Sequence, residues 1–151
     1  MQAKGFLASL AVLMLAGASA QSAPLEDMGI AKGVCEKFSI AGKPTTKECT
    51  GKLLNTTYAD GRVGFYFTFK RGSIITFSGY DRPNPTKDTD LISVDKIIFS
   101  VGGATREFAA TGSCRYGNFR AGHKRVTCKG SSDDGQPFEA VFRMTSPPEP
   151  M

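Results

Sequence analysis

The sequence is poor in the residues from which most active sites are built. It has no tryptophan and a single histidine, His123, which is followed directly by Lys124 and Arg125. A histidine that acts as a general base is normally oriented by a carboxylate and faces a nucleophile, and its neighbours here supply neither. We interpret His123 as a loop residue, and we find no set of nucleophile, base and acid that would indicate an enzyme.

Long apolar runs are also missing, except at the start of the chain. Residues 1–20 contain a basic Lys4, an apolar run at 6–16 that is too short to span a membrane, and the small-residue site Ala18-Ser19-Ala20. This pattern predicts a secretory signal peptide and an exported protein, periplasmic or extracellular, in which disulfides persist. No later stretch predicts a transmembrane helix.

The motifs of phosphate and metal sites are absent as well. Gly102-Gly103 lacks the Lys-Ser/Thr pair of a phosphate-binding loop. The acids between residues 81 and 95 could flank a glycosidic bond or hold calcium, but Asp88-Thr89-Asp90-Leu91 does not fit an EF-hand loop. Asp133-Asp134-Gly135 fits turn chemistry better than metal binding. The sequence therefore predicts no cofactor and no metal.

What the chain does contain is four cysteines in two matching pairs. The spacing from Cys35 to Cys49 equals that from Cys114 to Cys128, and each pair is entered by Gly-x-Cys and left by Cys-x-Gly. A hairpin folded about the midpoint would place each cysteine opposite its partner, where a disulfide can form. We predict these two disulfides, although four cysteines permit three connectivities. A four-thiolate zinc site is the alternative, and it lacks the usual Cys-x2-Cys knuckles.

Strand patterning dominates the rest of the chain. Val63–Phe69 alternates large apolar residues with small or polar ones, which is typical of a half-buried strand. A three-residue loop ending in Gly72 would set Phe65 opposite Phe77 on the next strand. Leu91–Val101 is apolar on both faces and predicts a central strand.

The longest expected break lies at residues 79–90, because Pro83 and Pro85 should interrupt a ladder. Asn55 begins a formal glycosylation sequon, which matters only in a host that glycosylates.

These elements predict an all-β fold of about eight strands, either an antiparallel barrel or a two-sheet sandwich. The meander of short hairpins favours the barrel. Each cysteine pair is followed by an Asp-Gly turn and an aromatic strand, so two related three-strand units are one interpretation. We expect a signal peptide at 1–20, a leader at 21–32 with at most one helical turn, a single β domain at 33–145, and a frayed Pro-rich tail at 146–151.

Positive charge is concentrated around the second cysteine pair. The chain has a formal net charge of +5, and no acid lies between Phe108 and Ser132. A basic ribbon with interleaved aromatics can hold phosphate or sulfate groups, although edge protection against aggregation gives the same pattern. The candidate ligand-binding residues are Arg115, Arg120, His123, Lys124, Arg125 and Lys129.

The function that we predict is a non-enzymatic binding protein that recognises an anionic polymer or cell-envelope surface through this hairpin. The alternative has a protein partner: an inhibitor of a secreted hydrolase, which would act through Lys124-Arg125 or through the stiff loop at Pro83–Pro85. An enzyme is the weakest hypothesis, because the residues for catalysis are missing.

Overall fold

A computed structural model describes residues 22–151, and in that range every regular element longer than three residues is a β-strand. The strands are β1 Leu25–Ile40, β2 Lys43–Pro44, β3 Cys49–Tyr58, β4 Arg62–Phe69, β5 Ile74–Thr86, β6 Thr89–Val101, β7 Ala104–Gly117, β8 Arg125–Ser132, β9 Pro137–Met144 and β10 Glu149–Pro150. Two single-turn 3-10 helices, Thr46–Glu48 and Phe119–Ala121, lie in connections. The predicted signal peptide lies outside the described residues.

Eight of the strands close into an antiparallel barrel. They follow the order β1-β3-β4-β5-β6-β7-β8-β9, and β9 pairs back with β1. Strand β1 serves both neighbours: Leu25–Lys32 pairs with β3, and Gly33–Ile40 pairs with β9 around a bulge between Cys35 and Lys37. The predicted all-β class is confirmed, and the architecture is the barrel and not the sandwich.

The barrel interior is packed with aromatic rings and is not a pore. The largest fully buried side chains are Phe38, Phe67, Phe77, Phe142, Leu53, Ile92 and Ile97. Phe77 stacks on Phe138 with ring centroids 4.9 Å apart, a separation typical of attractive aromatic pairs. Phe65 lies opposite Phe77 and Gly72 has a φ of 81°, so the predicted register and turn are confirmed.

The two ends of the barrel differ. Because the strands are antiparallel, the connections after β1, β4, β6 and β8 gather at one end, which we call the turn end. The other end, which we call the open end, holds the start of β1, the connections after β3, β5 and β7, and residues 145–150.

Leu91–Val101 is a strand with a neighbour on each side, β5 and β7, as expected, but its apolar residues are not buried on both faces. Ile92 and Val94 face the interior on one alternation, and a bulge between Val94 and Lys96 then moves Ile97 to the interior. A bulge inserts one residue into a strand and so reverses which alternate positions point inward. The inward-facing residues are therefore even-numbered before the bulge and odd-numbered after it, so the sequence pattern suggests two apolar faces where only one is buried.

The expected break at residues 79–90 is also wrong. Strand β5 continues to Thr86 and β6 starts at Thr89, which makes a long hairpin at the open end. Pro83 and Pro85 fall between the ladder pairs at Arg82 and Thr86, where the register shifts. No ladder pair forms between these two positions, so the hairpin does not require the backbone N–H groups that the prolines lack.

Both chain ends of the described range are strands, contrary to the expected leader and frayed tail. β1 begins at Leu25 with no helical turn, and it buries Ala31. Beyond the end of β9, the edge of β1 at Gly29 and Ile30 pairs with β10, and the Met151 N–H donates to the Met28 carbonyl over 3.0 Å. The tail is ordered because β1 extends past β9 and offers unpaired backbone groups to it.

Both predicted disulfides are formed, but only one has the predicted geometry. Cys114 and Cys128 are directly opposed on β7 and β8, with Cα atoms 4.0 Å apart. Cys35 instead pairs with β9 and Cys49 with β4, and their Cα atoms are 6.0 Å apart. This disulfide bridges the seam where β1 leaves β3 and not a hairpin ladder, so duplication of a three-strand unit stays a hypothesis.

Candidate functional site

The connection between β7 and β8 carries most of the residues that the sequence singled out. The Asn118 side-chain Oδ1 accepts a hydrogen bond from the Arg120 backbone N–H over 2.9 Å and so caps the 3-10 turn. Gly122 then reverses the chain with a φ of 93°, a conformation that glycine adopts without strain. The Lys124 ammonium lies 5.3 Å from the centroid of the Phe119 ring, within cation–π range. The connection is thus held by its own side chains.

Four of the six predicted cationic or imidazole side chains meet in one groove, which we call the basic groove. Arg115, His123, Lys124 and Arg125 line it together with Thr89, Tyr116, Gly122 and Thr127, and its volume is about 270 Å³. Arg115 alternates with the fully buried Cys114 and lies directly opposite Thr127 on β8, so its side chain points outward. The groove therefore combines positive charge with hydroxyl groups.

The other two predicted residues lie apart from the groove. Lys129 lies further along β8, between Ser113 on β7 and Glu139 on β9, and does not line it. Arg120 is exposed on the 3-10 turn and also does not line it. Sequence proximity placed these two residues in the set, and strand geometry separates them.

An acid that the sequence could not place next to the groove partly neutralises it. The Glu36 carboxylate accepts hydrogen bonds from Arg125 Nε over 2.8 Å and from Arg143 Nε over 2.8 Å. The hydrogen bond from Arg125, followed by that from Arg143, lowers the pKa of Glu36 from its ordinary value. Glu36 is on β1 and reaches Arg125 because β9 closes the barrel against β1, so no local signal reveals the contact.

The remaining groove cations are free of carboxylates. Within residues 22–151, neither Arg115 nor Lys124 makes an ion pair. Uncompensated cations beside hydroxyl donors form a surface that an anion can neutralise. Arg115 and Lys124 are accordingly the side chains best placed to hold a negatively charged group.

Another well-defined cation, Arg62, is engaged within the protein. Its guanidinium donates to both Asp95 oxygens over 2.9 and 2.8 Å and to Ser78 Oγ over 2.9 Å, and it lies 4.3 Å from the Tyr80 ring centroid. The hydrogen bond from Arg62 lowers the pKa of Asp95. Asp95 occupies the β6 bulge, so this pair fastens the bulge and is not available to a ligand.

The described part of the chain has neither a metal site nor a helix that could cross a membrane. Among residues 22–151 no group of three or more histidine, cysteine, aspartate or glutamate side chains could hold a metal ion. In that range the structure also has no helix of the length and apolarity needed to cross a membrane.

Comparison with known proteins found no relative of this chain. No protein-family model, no curated protein and no solved structure matches the chain. The assignment of function therefore rests on the residues and their geometry.

Proposed function

We propose that this is a non-enzymatic binding protein that holds phosphate or sulfate groups of an anionic polymer in the basic groove. The observation that carries the proposal is the convergence of Arg115, His123, Lys124 and Arg125 on one groove, in which Arg115 and Lys124 have no acidic partner among residues 22–151. The guanidinium fork of an arginine suits phosphate and sulfate oxygens, and lysine adds a point charge.

The shape of the site supports a polymer more than an enclosed small anion. The groove lies on the outer surface of β7 and β8, and its charged residues are exposed, so a chain can pass through it. Gly122 has no side chain and leaves backbone accessible, while Thr89 and Thr127 supply hydroxyl groups. Two disulfides and the N-terminal pattern support a place outside the cytoplasm, where acidic polymers of the cell envelope are available.

The test is retention of the purified protein on immobilised heparin at rising salt. In the variant Arg115→Ala/Lys124→Ala, binding should weaken, and the slope of log affinity against log salt should fall by roughly 2, about 1 for each removed phosphate or sulfate contact. The matched control is Lys70→Ala/Arg71→Ala, which removes the same charge from the exposed β4–β5 loop at the turn end. Equal losses in both variants would show that scattered charge, and not the groove, drives retention.

A second candidate function is inhibition of a secreted hydrolase by the β5–β6 hairpin. Residues 80–87 of this hairpin are exposed. Its tip is held by Thr89 Oγ1, which accepts a hydrogen bond from the Thr86 backbone N–H over 3.1 Å and shares a second one with Thr86 Oγ1 over 2.7 Å. A rigid, projecting loop is what an inhibitor needs to enter an active site with little loss of entropy.

The version of this candidate that uses Lys124-Arg125 has less favourable geometry. The Lys124 carbonyl accepts a hydrogen bond from the Met144 N–H over 2.7 Å, and Arg125 pairs with Arg143 in the ladder. This backbone is therefore held in a sheet and is not presented to a protease. Stoichiometric inhibition of a secreted hydrolase that survives high salt and is lost in Pro83→Gly/Pro85→Gly would favour the hairpin.

A further inference from the structure

A separate cavity lies inside the barrel at the open end. Its volume is about 170 Å³. Most of its walls are apolar side chains of the barrel strands, namely Ala31, Leu53, Phe65, Tyr116, Val126 and Met144. Residues 148–150 of the C-terminal tail close its outer side. A space of this size inside an otherwise filled barrel is large enough for a benzene-sized molecule.

The cavity exists because β1 contributes small residues where other strands contribute large ones. Gly29 lies opposite Asn55 and Ala31 lies opposite Leu53 on β3. The aromatic side chains of the middle of the barrel have no counterpart at these two positions. The cavity thus results from small residues in the segment that we expected to be a leader.

Two polar groups in the wall are available to a ligand. The Asn55 side-chain amide donates to the Gly64 carbonyl over 3.1 Å, and within residues 22–151 its Oδ1 accepts no hydrogen bond from the protein. The Tyr116 hydroxyl likewise has no hydrogen-bond partner in this range, and the Tyr116 ring meets the Phe65 ring edge-on with centroids 4.9 Å apart. Asn55, the first residue of the sequon, is half-buried and lines this cavity.

Two acidic side chains line the cavity at its mouth. The charged residues in its lining are Asp27 and Glu149, and Glu149 is 3.9 Å from the exposed Lys32 ammonium. Burial, and after it the carboxylates of Asp90 and Asp81, raise the pKa of Tyr116 to about 12. The exposed carboxylates of Asp27 and Glu149 at the mouth oppose an anion and attract a cation.

We propose that this cavity binds a small amine that has an apolar, ring-sized body and one ammonium group. The body packs against Phe65 and Tyr116, whose ring faces also attract a cation. The ammonium group points to the mouth, where it meets Asp27, Glu149 and the free oxygen of Asn55. The cavity adjoins the basic groove at Tyr116, but its charged lining residues are acidic and those of the groove are basic.

The tail provides the entry to the cavity. Strand β10 is held by two ladder pairs to β1 and by the hydrogen bond from Met151. A short contact of this kind opens far more readily than the barrel itself. Lifting residues 148–150 exposes the cavity without disturbing the eight barrel strands.

The experiment is a ¹H–¹⁵N NMR titration of the full chain with 2-phenylethylamine and, separately, with phenylacetate. The two probes have a similar ring and length but opposite charge. We expect saturable binding of 2-phenylethylamine with a Kd of about 1 mM or tighter, as is reasonable for nine non-hydrogen atoms. The shifted amides should include Asn55 and Phe65, and phenylacetate should bind at least tenfold more weakly.

Two variants separate the cavity from the charge. Ala31→Leu fills the cavity and should weaken binding of 2-phenylethylamine at least tenfold. Asp27→Asn/Glu149→Gln changes exposed groups, leaves the core intact, and should remove most of the preference for the amine over phenylacetate. Retention on heparin should be unchanged in both variants, so this proposal and the polymer proposal fail independently.

The proposal is overturned by any of the following results. The first is no saturable binding of the amine, and the second is equal affinity for the two probes. The third is unchanged amine binding in a folded Ala31→Leu variant or shifted amides that lie away from the cavity.

Discussion

The two disulfides close chain loops of the same length in different surroundings. Both have a sequence separation of 14. In the chain-entropy model a loop of this size contributes about 3 kcal/mol to the free energy of unfolding. Replacing each pair by alanine removes the same entropy term, so a difference between the two double variants measures what each disulfide does in the folded state.

The folded surroundings predict that the second disulfide contributes more. Cys114 and Cys128 are fully buried, and changing both to alanine also deletes two sulfur atoms from the core, at a cost of about 1 kcal/mol each. Cys35 and Cys49 are only partly buried. We therefore expect a loss of about 5 kcal/mol for Cys114→Ala/Cys128→Ala and about 3 kcal/mol for Cys35→Ala/Cys49→Ala.

Urea unfolding of the wild type and both variants measures these losses, and hydrogen exchange locates them. No ladder joins β1 to β3 beyond Lys32, so Cys35→Ala/Cys49→Ala should speed amide exchange at this seam selectively. In Cys114→Ala/Cys128→Ala the ladder pairs on either side of the cysteines remain, so exchange should rise globally. Equal losses, or a larger loss for Cys35→Ala/Cys49→Ala, would refute the argument from burial and ladder position.

Three further predictions concern the core and two titrating groups. Phe77→Ala should cost about 3–5 kcal/mol in urea unfolding, while Phe108→Ala, at a side chain 45 % exposed, should cost less than about 1 kcal/mol. Arg62 lowers the pKa of Asp95, so their ion pair stabilises the protein above the ordinary pKa of that carboxyl, and this stabilisation is lost as the pH falls. Asp95→Asn should therefore lower the free energy of unfolding by about 1 kcal/mol at neutral pH. Below pH ~4 the variant should lose less stability than the wild type does. Burial raises the pKa of Tyr116 to about 12, so absorbance titration should contain a tyrosine step near this value that is missing in Tyr116→Phe. Stability should fall as the pH rises from the ordinary value of 10 to this value.

Local patterns predicted the parts of the fold that local interactions decide. The alternation in Val63–Phe69 and the glycine at position 72 gave the pairing of Phe65 with Phe77, because side-chain direction and turn type fix the register of a hairpin. The equal spacing of the cysteines gave both disulfide pairings. The number of strands and the short connections gave the barrel.

Features that depend on distant parts of the chain were not predictable in this way. The bulge at Asp95 is decided by how β6 fits against both neighbours, so the sequence pattern of β6 alone suggested two buried faces. The tail is ordered only because β1 extends past β9.

The candidate site also has a part that local sequence predicts and a part that depends on distant contacts. Arg115, Lys124 and Arg125 lie close together in the sequence, on one hairpin, and were predicted as neighbours. Glu36 lies 89 positions from Arg125 and meets it only in the closed barrel. The cavity at the open end was missed for a similar reason, because its walls come from six barrel strands and from β10.

The division of β1 between two partners orders events during synthesis of the chain. Leu25–Lys32 can pair with β3 as soon as residue 58 has emerged, whereas Gly33–Ile40 waits for Pro137–Met144. Until then the second half of β1 is an unpaired edge that another molecule of the same chain could occupy. The barrel therefore has high contact order at its closing seam, and its folding rate should be set by how quickly the last strand finds the first.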